Sequence, residues 1–343
     1  MNMKVSHNAD EPSGELRADT ATEAHQADAA TEAHQADAAM THGDAAAIHA
    51  EGLWKSFGDV QAVRGVSLDV HRGELYGLIG PDGAGKTTTL HILTTLMLAD
   101  KGTGRVGDWD IVKDYRAIRS GVGYMPGRFS LYQDLTIAEN LHFFANLFGV
   151  DLQENMKIIE PVFKQLSRFM NRAAGHLSGG MKQKLALCCA LIHKPSILFL
   201  DEPTVGVDVI ARGEFWKVLR SLTQQGVTIL VTTSYMDEAT MCDRISLINR
   251  GQILQTGAPG QLIANFGSQL LAIAATHMMP LLRRARQLPY CQDCYTFGQT
   301  LHFVSRQPVT MDRIRGDLAD IPGFTVQVAQ PNIEDLFIKL MKN

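Results

Sequence analysis

The fold of this chain is decided by one stretch of sequence, Gly80-Pro81-Asp82-Gly83-Ala84-Gly85-Lys86-Thr87. The apolar residues 74–79 before it predict a buried strand, and residues 88–93 after it predict the start of a helix. A phosphate-binding loop has this order of strand, glycine-rich loop and helix. We therefore predict an α/β domain that binds a phosphate group at this loop.

The loop residues suit a nucleotide with a bound magnesium ion. Gly80, Gly83 and Gly85 let the backbone turn its N–H groups toward an anion, and the helix N-terminus adds partial positive charge. Lys86 is expected to reach the β- and γ-phosphates, and the hydroxyl of Thr87 is expected to ligate Mg²⁺. The ligands predicted are thus ATP and Mg²⁺. The predicted nucleotide contacts are Gly80, Pro81, Asp82, Gly83, Ala84, Gly85, Lys86, Thr87 and Thr88.

The composition is that of a globular protein. The chain has 343 residues, of which 45% are hydrophobic, and a formal net charge of −4. That charge gives no general attraction to nucleic acid, so no nucleic-acid partner is expected. The polar N-terminus does not resemble a signal peptide, and no apolar run approaches the ~20 residues of a spanning helix. The five cysteines are expected to be the reduced thiols of a cytosolic protein.

Composition divides the chain into three predicted segments. Residues 1–47 contain the nonamer Ala-Thr-Glu-Ala-His-Gln-Ala-Asp-Ala twice in succession and few large apolar residues, so we predict a disordered tail. Met40 is an alternative start of the chain. Residues 48–262 alternate between strand and helix patterns and form the predicted α/β domain, while residues 263–343 predict a small α+β appendage.

Two carboxylates follow the apolar strand pattern of residues 197–200. An open α/β sheet places its ligands at the carboxyl ends of its strands. Asp201 is therefore predicted to hold Mg²⁺, directly or through water, and Glu202 to orient or deprotonate the attacking water. The alternative is a solvated acidic pair at a strand end.

A second anion-binding helix start is predicted at Leu177-Ser178-Gly179-Gly180. Ser178 is a natural N-cap, and the two glycines expose the backbone of the first turn. The residues that then share one face of the helix are Leu185, Cys188, Cys189 and Ile192. Both cysteines are therefore predicted to be packing residues rather than reactive thiols.

The order of these three motifs resembles that of the ATP-binding cassette (ABC) ATPases. A phosphate loop, then Leu-Ser-Gly-Gly, then Leu-Asp-Glu-Pro has this order, and Leu-Ser-Gly-Gly separates the family from other phosphate-loop enzymes. The resemblance covers about residues 48–262 and implies a phosphate-loop NTPase cassette with a helical signature subdomain. The segments that resemble ATPase subunits of ABC-2 type multidrug exporters are Tyr124-Met125-Pro126, Phe129-Ser130-Leu131-Tyr132, Asp134-Leu135-Thr136 and Pro331-Asn332-Ile333-Glu334-Asp335-Leu336-Phe337.

The resemblance implies that two cassettes close head to tail around ATP. By position, Phe57 would stack on adenine and Asp208 would lie in the loop that crosses the dimer interface. The residues implied to contact the γ-phosphate held by the partner cassette are Ser178, Gly179 and Gly180. The implied partners are a second cassette, in a homo- or heterodimer, and an ABC-2 type permease. The chain would then act at the cytoplasmic face of the inner membrane, where ATP hydrolysis would drive export of a drug-like or hydrophobic substrate.

Two positions depart from the family pattern. The family has glutamine after Tyr-Met-Pro, where this chain has Gly127, and histidine before Tyr-Met-Asp-Glu-Ala, where it has Ser234. Losing one transition-state hydrogen-bond donor typically lowers the rate by ~10²–10³. Because the Ser234 hydroxyl can still donate to phosphate, the catalytic candidates are Glu202, Lys86 and Ser234. The departures predict slow turnover, and they leave two alternatives: a regulatory subunit that pairs with a consensus cassette, and a soluble ABC ATPase outside transport.

Two weaker patterns lie in the appendage. Cys291 and Cys294 form a lone Cys-x-x-Cys, with His302 as a candidate third metal ligand. Ordinary thiols are the favoured interpretation, and a metal site or a redox pair are the alternatives. A short basic cluster, interpreted as a solvated face or as a contact for lipid headgroups or the permease, comprises Arg283, Arg284 and Arg286.

Overall fold

The computed structural model describes residues 46–128 and 130–342. The predicted tail and its repeat lie outside the described residues, except for residues 46 and 47, which belong to the first strand. Phe129 also lies outside them. Within the described ranges, no helix combines the length and the apolar character needed to cross a membrane.

Strands and helices alternate along the described ranges. The strands are β1 (Ala46–Phe57), β2 (Val60–His71), β3 (Leu75–Ile79), β4 (Lys101–Val106), β5 (Trp109–Asp110), β6 (Val122–Met125), β7 (Ile197–Asp201), β8 (Thr228–Thr233), β9 (Arg244–Asn249), β10 (Gln252–Gly257), β11 (Gln269–Ala274), β12 (Cys291–Phe297), β13 (Thr300–Ser305) and β14 (Thr325–Val328). The α-helices are α1 (Lys86–Leu93), α2 (Tyr115–Gly121), α3 (Ile137–Phe148), α4 (Leu152–Phe163), α5 (Gly179–Leu191), α6 (Val209–Gln224), α7 (Pro259–Ala264), α8 (Met278–Arg286), α9 (Met311–Asp317) and α10 (Ile333–Lys342).

The main sheet has the strand order β10-β9-β3-β8-β7-β6. Its strands β9, β3, β8, β7 and β6 run parallel, and β10 pairs antiparallel with β9. Because β3, β8 and β7 are parallel neighbours, the loop after β3 and the carboxylates at the end of β7 meet at one edge of the sheet. This arrangement confirms the predicted α/β class.

Successive residues of the central strands enter two different hydrophobic cores. Leu198 and Leu200 of β7 pack with residues of α5 and α6, whereas Ile197 and Phe199 pack with α1 and the antiparallel sheet β2-β1-β4-β5. Both faces of β7 are therefore buried. This double burial is the physical reason why its sequence is continuously apolar instead of alternating.

The C-terminal residues form a third sheet in the order β12-β13-β11-β14, in which every pairing is antiparallel. With α8 after β11 and α9 after β13, the chain order is β-α-β-β-α-β, the split arrangement of ferredoxin-like units. Leu270 and Phe337 share a buried cluster with Ala239 and Leu262, which lie before the predicted boundary at residue 262. That boundary stays a prediction.

Asp335 joins α10 to the third sheet. Its backbone N–H donates to Asn332 Oδ1 at 2.9 Å, and its Oδ2 accepts from the Asn332 backbone N–H at 3.0 Å. The other carboxylate oxygen, Oδ1, accepts from the Tyr295 hydroxyl at 2.7 Å and from His302 Nδ1 at 2.6 Å. Asp335 is fully buried, and its bond to His302 is buried as well.

Replacing Asp335 with alanine is expected to lower the free energy of unfolding by about 2–5 kcal/mol, because Tyr295 and His302 lose their acceptor and each buried polar group left unsatisfied costs about 1–3 kcal/mol. Thermal unfolding measures the change. Asp312→Ala is the matched control, since Asp312 pairs with Arg315 at 3.2 Å but its side chain is 93% exposed, and such pairs contribute little. Equal unfolding temperatures for the two variants would contradict the stabilising role of Asp335.

A β-bulge places Cys291 and Cys294 on the same face of the third sheet. The register shifts between Cys291 and Asp293, so the two cysteines lie opposite Ser305 and Phe303. Both thiols are buried and unoxidised, and burial raises the pKa of Cys291 to about 11 and that of Cys294 to about 12. Such thiols stay protonated at neutral pH and react slowly.

His302 does not join these cysteines. It lies opposite Tyr295 in the next register position, on the other face of the sheet, where it bonds to Asp335. The alternative of a metal site in which His302 adds a third ligand therefore does not fit this arrangement. Cys188 and Cys189 are confirmed as packing residues, since both are buried in the core beneath α5.

Candidate functional site

The glycine-rich loop between β3 and α1 approaches the backbone of two other strands. A Cβ on Gly80 would lie 2.1 Å from the carbonyl oxygen of Ile248 in β9. A Cβ on Gly85 would lie 2.4 Å from the carbonyl oxygen of Ala62 in β2, and Gly85 also has a φ of 102°. Neither position can take a side chain without moving backbone. The glycines that shape this loop are thus required by its neighbours in the fold.

Lys86 is buried inside the loop. Its Nζ donates to the carbonyl oxygens of Gly80 and Pro81 at 2.7 and 3.0 Å. The same ammonium pairs with Glu202 Oε1 at 2.9 Å, and the lysine side chain is only 3% exposed. These three acceptors fix the position of the ammonium at the loop, so it is preorganised to bind an anion there.

Asp201 is held by hydroxyls from two other elements. Thr87 Oγ1 at the start of α1 and Thr232 Oγ1 of β8 both donate to Asp201 Oδ1, at 3.0 and 2.7 Å. A hydroxyl beside a carboxylate offers the oxygen ligands that Mg²⁺ prefers. The described residues hold no group of three His, Cys, Asp or Glu able to bind a metal alone. The pair therefore fits a cation that takes its remaining ligands from phosphate and water.

Glu202 has a strained backbone that aims its carboxylate at the loop. Its φ is 47°, in the left-handed region that non-glycine residues adopt at a cost of about 1–3 kcal/mol. The backbone N–H donates to both the carbonyl and the hydroxyl oxygen of Thr232, at 3.1 and 3.0 Å. Ser234 Oγ donates to Glu202 Oε2 at 3.5 Å. The structure thus brings Lys86 and Ser234 to the two oxygens of one carboxylate.

A cavity of about 470 Å³ lies beside Asp201 and Glu202. Gly127 is part of its wall, and a Cβ built there would lie 3.5 Å from Asp201 Oδ2. A side chain at position 127 would therefore point toward the carboxylate, and glycine leaves that space open. The other lining residues are Thr87, His91, Tyr124, Pro126, Arg128 and Val205.

Three polar residues of this cavity, His91, Tyr124 and Arg128, have no site role in the sequence prediction. His91 Nε2 and the Tyr124 hydroxyl are 3.1 Å apart. Burial raises the pKa of Tyr124, and the charge of Asp201 raises it further, so the phenol keeps its proton. One feature of the sequence could have indicated His91: it follows Thr87 by four residues in α1, so both lie on one face of the helix.

The second glycine motif packs against the segment that contains Asp208. Ser178 caps α5 by accepting from the Met181 N–H at 3.4 Å, and Asp208 caps α6 by accepting from the Ala211 N–H at 2.9 Å. A Cβ on Gly179 would lie 2.8 Å from the Gly206 carbonyl oxygen, and one on Gly180 would lie 2.9 Å from the Ala211 Cβ. The two predicted interface segments are therefore direct neighbours.

The remaining predicted nucleotide contacts are distributed around the loop. Phe57 ends β1 and is 48% exposed, and Lys55 Nζ lies 5.9 Å from the centroid of its ring. Ala84 is buried and donates its N–H to the Pro81 carbonyl at 3.1 Å. Asp82 is exposed at the loop tip, and Thr88 is half-buried in the first turn of α1.

Comparison with known proteins identifies the family. The family described as "ABC transporter" matches residues 63–205. The "Probable multidrug ABC transporter ATP-binding protein YbhF" of Escherichia coli (strain K12) is 39% identical over 303 residues, which are 86% of this chain and 52% of that protein. The chain thus spans about half the length of this relative. The "Nod factor export ATP-binding protein I" of Burkholderia orbicola (strain AU 1054) is 37% identical, over 86% of this chain and 97% of that protein.

Solved structures have the same fold. One titled "Structure of ATP binding subunit of ABC transporter" matches with a TM-score of 0.58 and 26% identity, over 64% of this chain and 93% of that one. Another, "Dimeric Structure of MJ0796, a Bacterial ABC Transporter Cassette", has a TM-score of 0.56 and 25% identity, over 62% and 98% of the two chains.

Proposed function

This chain belongs to the ABC transporter family, and from that premise we propose that it binds and hydrolyses ATP with Mg²⁺ to power export through a separate membrane subunit. The observation that carries the proposal is the convergence of Lys86 and Ser234 on Glu202 at 2.9 and 3.5 Å, beside the Thr87–Asp201 pair. Phosphoryl transfer is catalysed by positioned groups that neutralise the phosphate charge, hold the metal ion and orient the attacking water. The groups gathered here can fill these roles.

Each of these groups has a proposed role. The Lys86 ammonium binds the β- and γ-phosphates, with the loop N–H groups around it. Thr87 and Asp201 hold Mg²⁺, which neutralises charge on the phosphate oxygens when bound. Glu202 orients the attacking water as general base. Phe57, which is exposed at the end of β1, stacks on adenine.

We propose that a second cassette completes the site. Ser178, Gly179 and Gly180 would contact the nucleotide of the partner, and Asp208 would lie in the interface. The adjoining residues Val209 and Ile210 are 75% and 79% exposed, which suits a surface that becomes covered on association. A dimeric cassette among the solved relatives supports the same arrangement.

The membrane partner is proposed to be an ABC-2 type permease that holds the chain at the cytoplasmic face of the inner membrane. Support comes from the relatives, one named for multidrug transport and one for Nod factor export. The test is phosphate release by the chain alone and with the purified permease in liposomes. Permease-stimulated hydrolysis supports the proposal, and failure of the chain to bind ATP·Mg²⁺ would overturn it.

A regulatory subunit with little turnover is the second candidate, favoured by Gly127 and Ser234. Position 127 supplies no side chain to the cavity beside Asp201. The Ser234 hydroxyl reaches Glu202 only at 3.5 Å, at the limit of a hydrogen bond. Such a subunit would bind ATP and pair with a second cassette that supplies the hydrolytic site.

The double variant Gly127→Gln with Ser234→His is expected to raise ATP turnover at least tenfold, since each transition-state donor contributes about 10²–10³. The gain is expected below that full range, because a Cβ at position 127 would lie 3.0 Å from the Asp201 carbonyl oxygen and the loop must shift. Steady-state phosphate release measures it. The control is Ser120→His on the exposed end of α2, and equal turnover in both variants would contradict the assigned weakness of the two positions.

A further inference from the structure

The cavity beside Asp201 has few side chains that can accept a hydrogen bond from water. The hydration water of a cation donates hydrogen bonds, so the relevant groups are acceptors. Of the two carboxylates in the lining, Asp201 Oδ1 already accepts from Thr87 and Thr232, and Glu202 Oε1 already pairs with Lys86. Pro126, Gly127 and Val205 offer no polar side chain, and Arg128 is exposed. The hydroxyl of Tyr124, which is half-buried in the wall, adds a neutral acceptor beside these carboxylates.

His91 fixes that hydroxyl from the adjacent helix. The 3.1 Å separation of His91 Nε2 and the Tyr124 oxygen is a hydrogen bond, and the two rings meet edge to face with centroids 6.2 Å apart. When Tyr124 donates its proton to Nε2, its oxygen lone pairs are left to accept from a water molecule. Tyr124 also lines the neighbouring apolar groove of about 270 Å³, so its ring separates the two cavities.

We propose that Tyr124, held by His91, is a positioning residue for the metal side of the nucleotide site. Its hydroxyl accepts a hydrogen bond from hydration water of the cation bound at Thr87 and Asp201, in the space that Gly127 leaves open. This inference rests on the proposed ATP·Mg²⁺ function. Mg²⁺ keeps several waters when proteins bind it, and residues that orient a metal's ligands typically change its affinity 10- to 100-fold.

The experiment measures metal affinity rather than activity. Mn²⁺ replaces Mg²⁺ because the two share oxygen ligands, and its free concentration is read by electron paramagnetic resonance in the presence of protein and ATP. Tyr124→Phe and His91→Ala are each expected to weaken Mn²⁺ binding about tenfold. EDTA removes the divalent cation, and ATP binding measured in EDTA should be the same in these variants as in the wild type. A variant that is generally misfolded would lose this binding as well. Tyr115→Phe, at an exposed tyrosine of α2, is the matched control.

The same variants in a Gly127→Gln background complete the test. The glutamine side chain enters the same space, so the loss caused by Tyr124→Phe is expected to fall below threefold. Wild-type Mn²⁺ affinity in Tyr124→Phe, or equal losses in both backgrounds, would overturn the inference. If His91→Ala does not fold, the isosteric Tyr124→Phe decides. Failure of the wild type itself to bind ATP·Mn²⁺ would instead overturn the proposed function.

Discussion

Glu202→Gln is expected to lower ATP turnover by about 10²- to 10⁴-fold, the contribution of a positioned general base. The amide cannot accept the proton of the attacking water, but it keeps the size of the side chain. The backbone N–H bonds from Glu202 to Thr232 at 3.1 and 3.0 Å do not involve the carboxylate, so the strained turn is expected to persist. Single-turnover phosphate release measures the effect.

ATP binding by Glu202→Gln is expected to be retained or strengthened. In the wild type the carboxylate pairs with Lys86 Nζ at 2.9 Å, and this pairing competes with a phosphate for the ammonium. Titration with a fluorescent nucleotide measures the affinity, which is then compared with the turnover of the same variant. Glu139→Gln is the control, because glutamine preserves the capping box that Glu139 forms with Thr136 at the start of α3. Normal turnover in Glu202→Gln would remove Glu202 from the mechanism.

Lys86→Ala is expected to weaken ATP binding by about 10²- to 10⁴-fold. Two charge-assisted hydrogen bonds to phosphate contribute about 1.5–3 kcal/mol each, and each 1.4 kcal/mol is a factor of about ten. The loss should be larger than for an exposed lysine, because the Lys86 side chain is only 3% exposed and a charge shielded from water interacts more strongly with phosphate. Isothermal titration with ATP·Mg²⁺ measures it.

Lys339→Ala is the matched control for Lys86→Ala. Lys339 Nζ also donates to a backbone carbonyl, that of Phe266, and to Ser268 Oγ at 3.0 Å, but it lies on α10, which is remote in sequence from the loop. Its removal is expected to lower stability without changing ATP affinity. If both variants bound ATP equally, the ammonium of Lys86 would have no role in nucleotide binding.

The nucleotide loop and the two acids are predictable because each belongs to one contiguous segment. Three glycines between an apolar strand and a helix permit the tight turn and the positive φ angles that a phosphate loop needs. The apolar run before Asp201 is buried on both faces of the main sheet, and this burial forces the first polar residues to its end. The roles given to these residues follow from chemistry that acts over one or two positions.

Thr232, His91 and Tyr124 are not predictable in the same way. Thr232 reaches Asp201 and Glu202 only because β8 lies between β3 and β7 in the sheet, and a hydrophobic pattern does not specify strand order. Tyr124 lies on β6, beyond β7, and meets His91 of α1 across the sheet edge. Each of these contacts joins residues that are 30 to 33 positions apart in the chain, so no local sequence pattern reveals it.

The appendage gives the same contrast at smaller scale. The sequence predicts a small α+β unit here, but the face of the sheet on which a side chain lies depends on strand register. One extra residue in the bulge of β12 puts Cys291 and Cys294 on the same face and leaves His302 on the other. The buried bonds of Asp335 to Tyr295 and His302 likewise depend on how α10 packs on the sheet.

By itself, the sequence determines the α/β class, the phosphate loop at Gly80–Thr87 and the acids Asp201 and Glu202. These features follow from backbone sterics and burial within single segments. Only the tertiary structure decides that Lys86 pairs with Glu202, that Thr232 supports both acids and that the space at Gly127 is bordered by Tyr124 and His91. The physical reason is that strand order and register bring these groups together, and both are set by packing of the whole sheet.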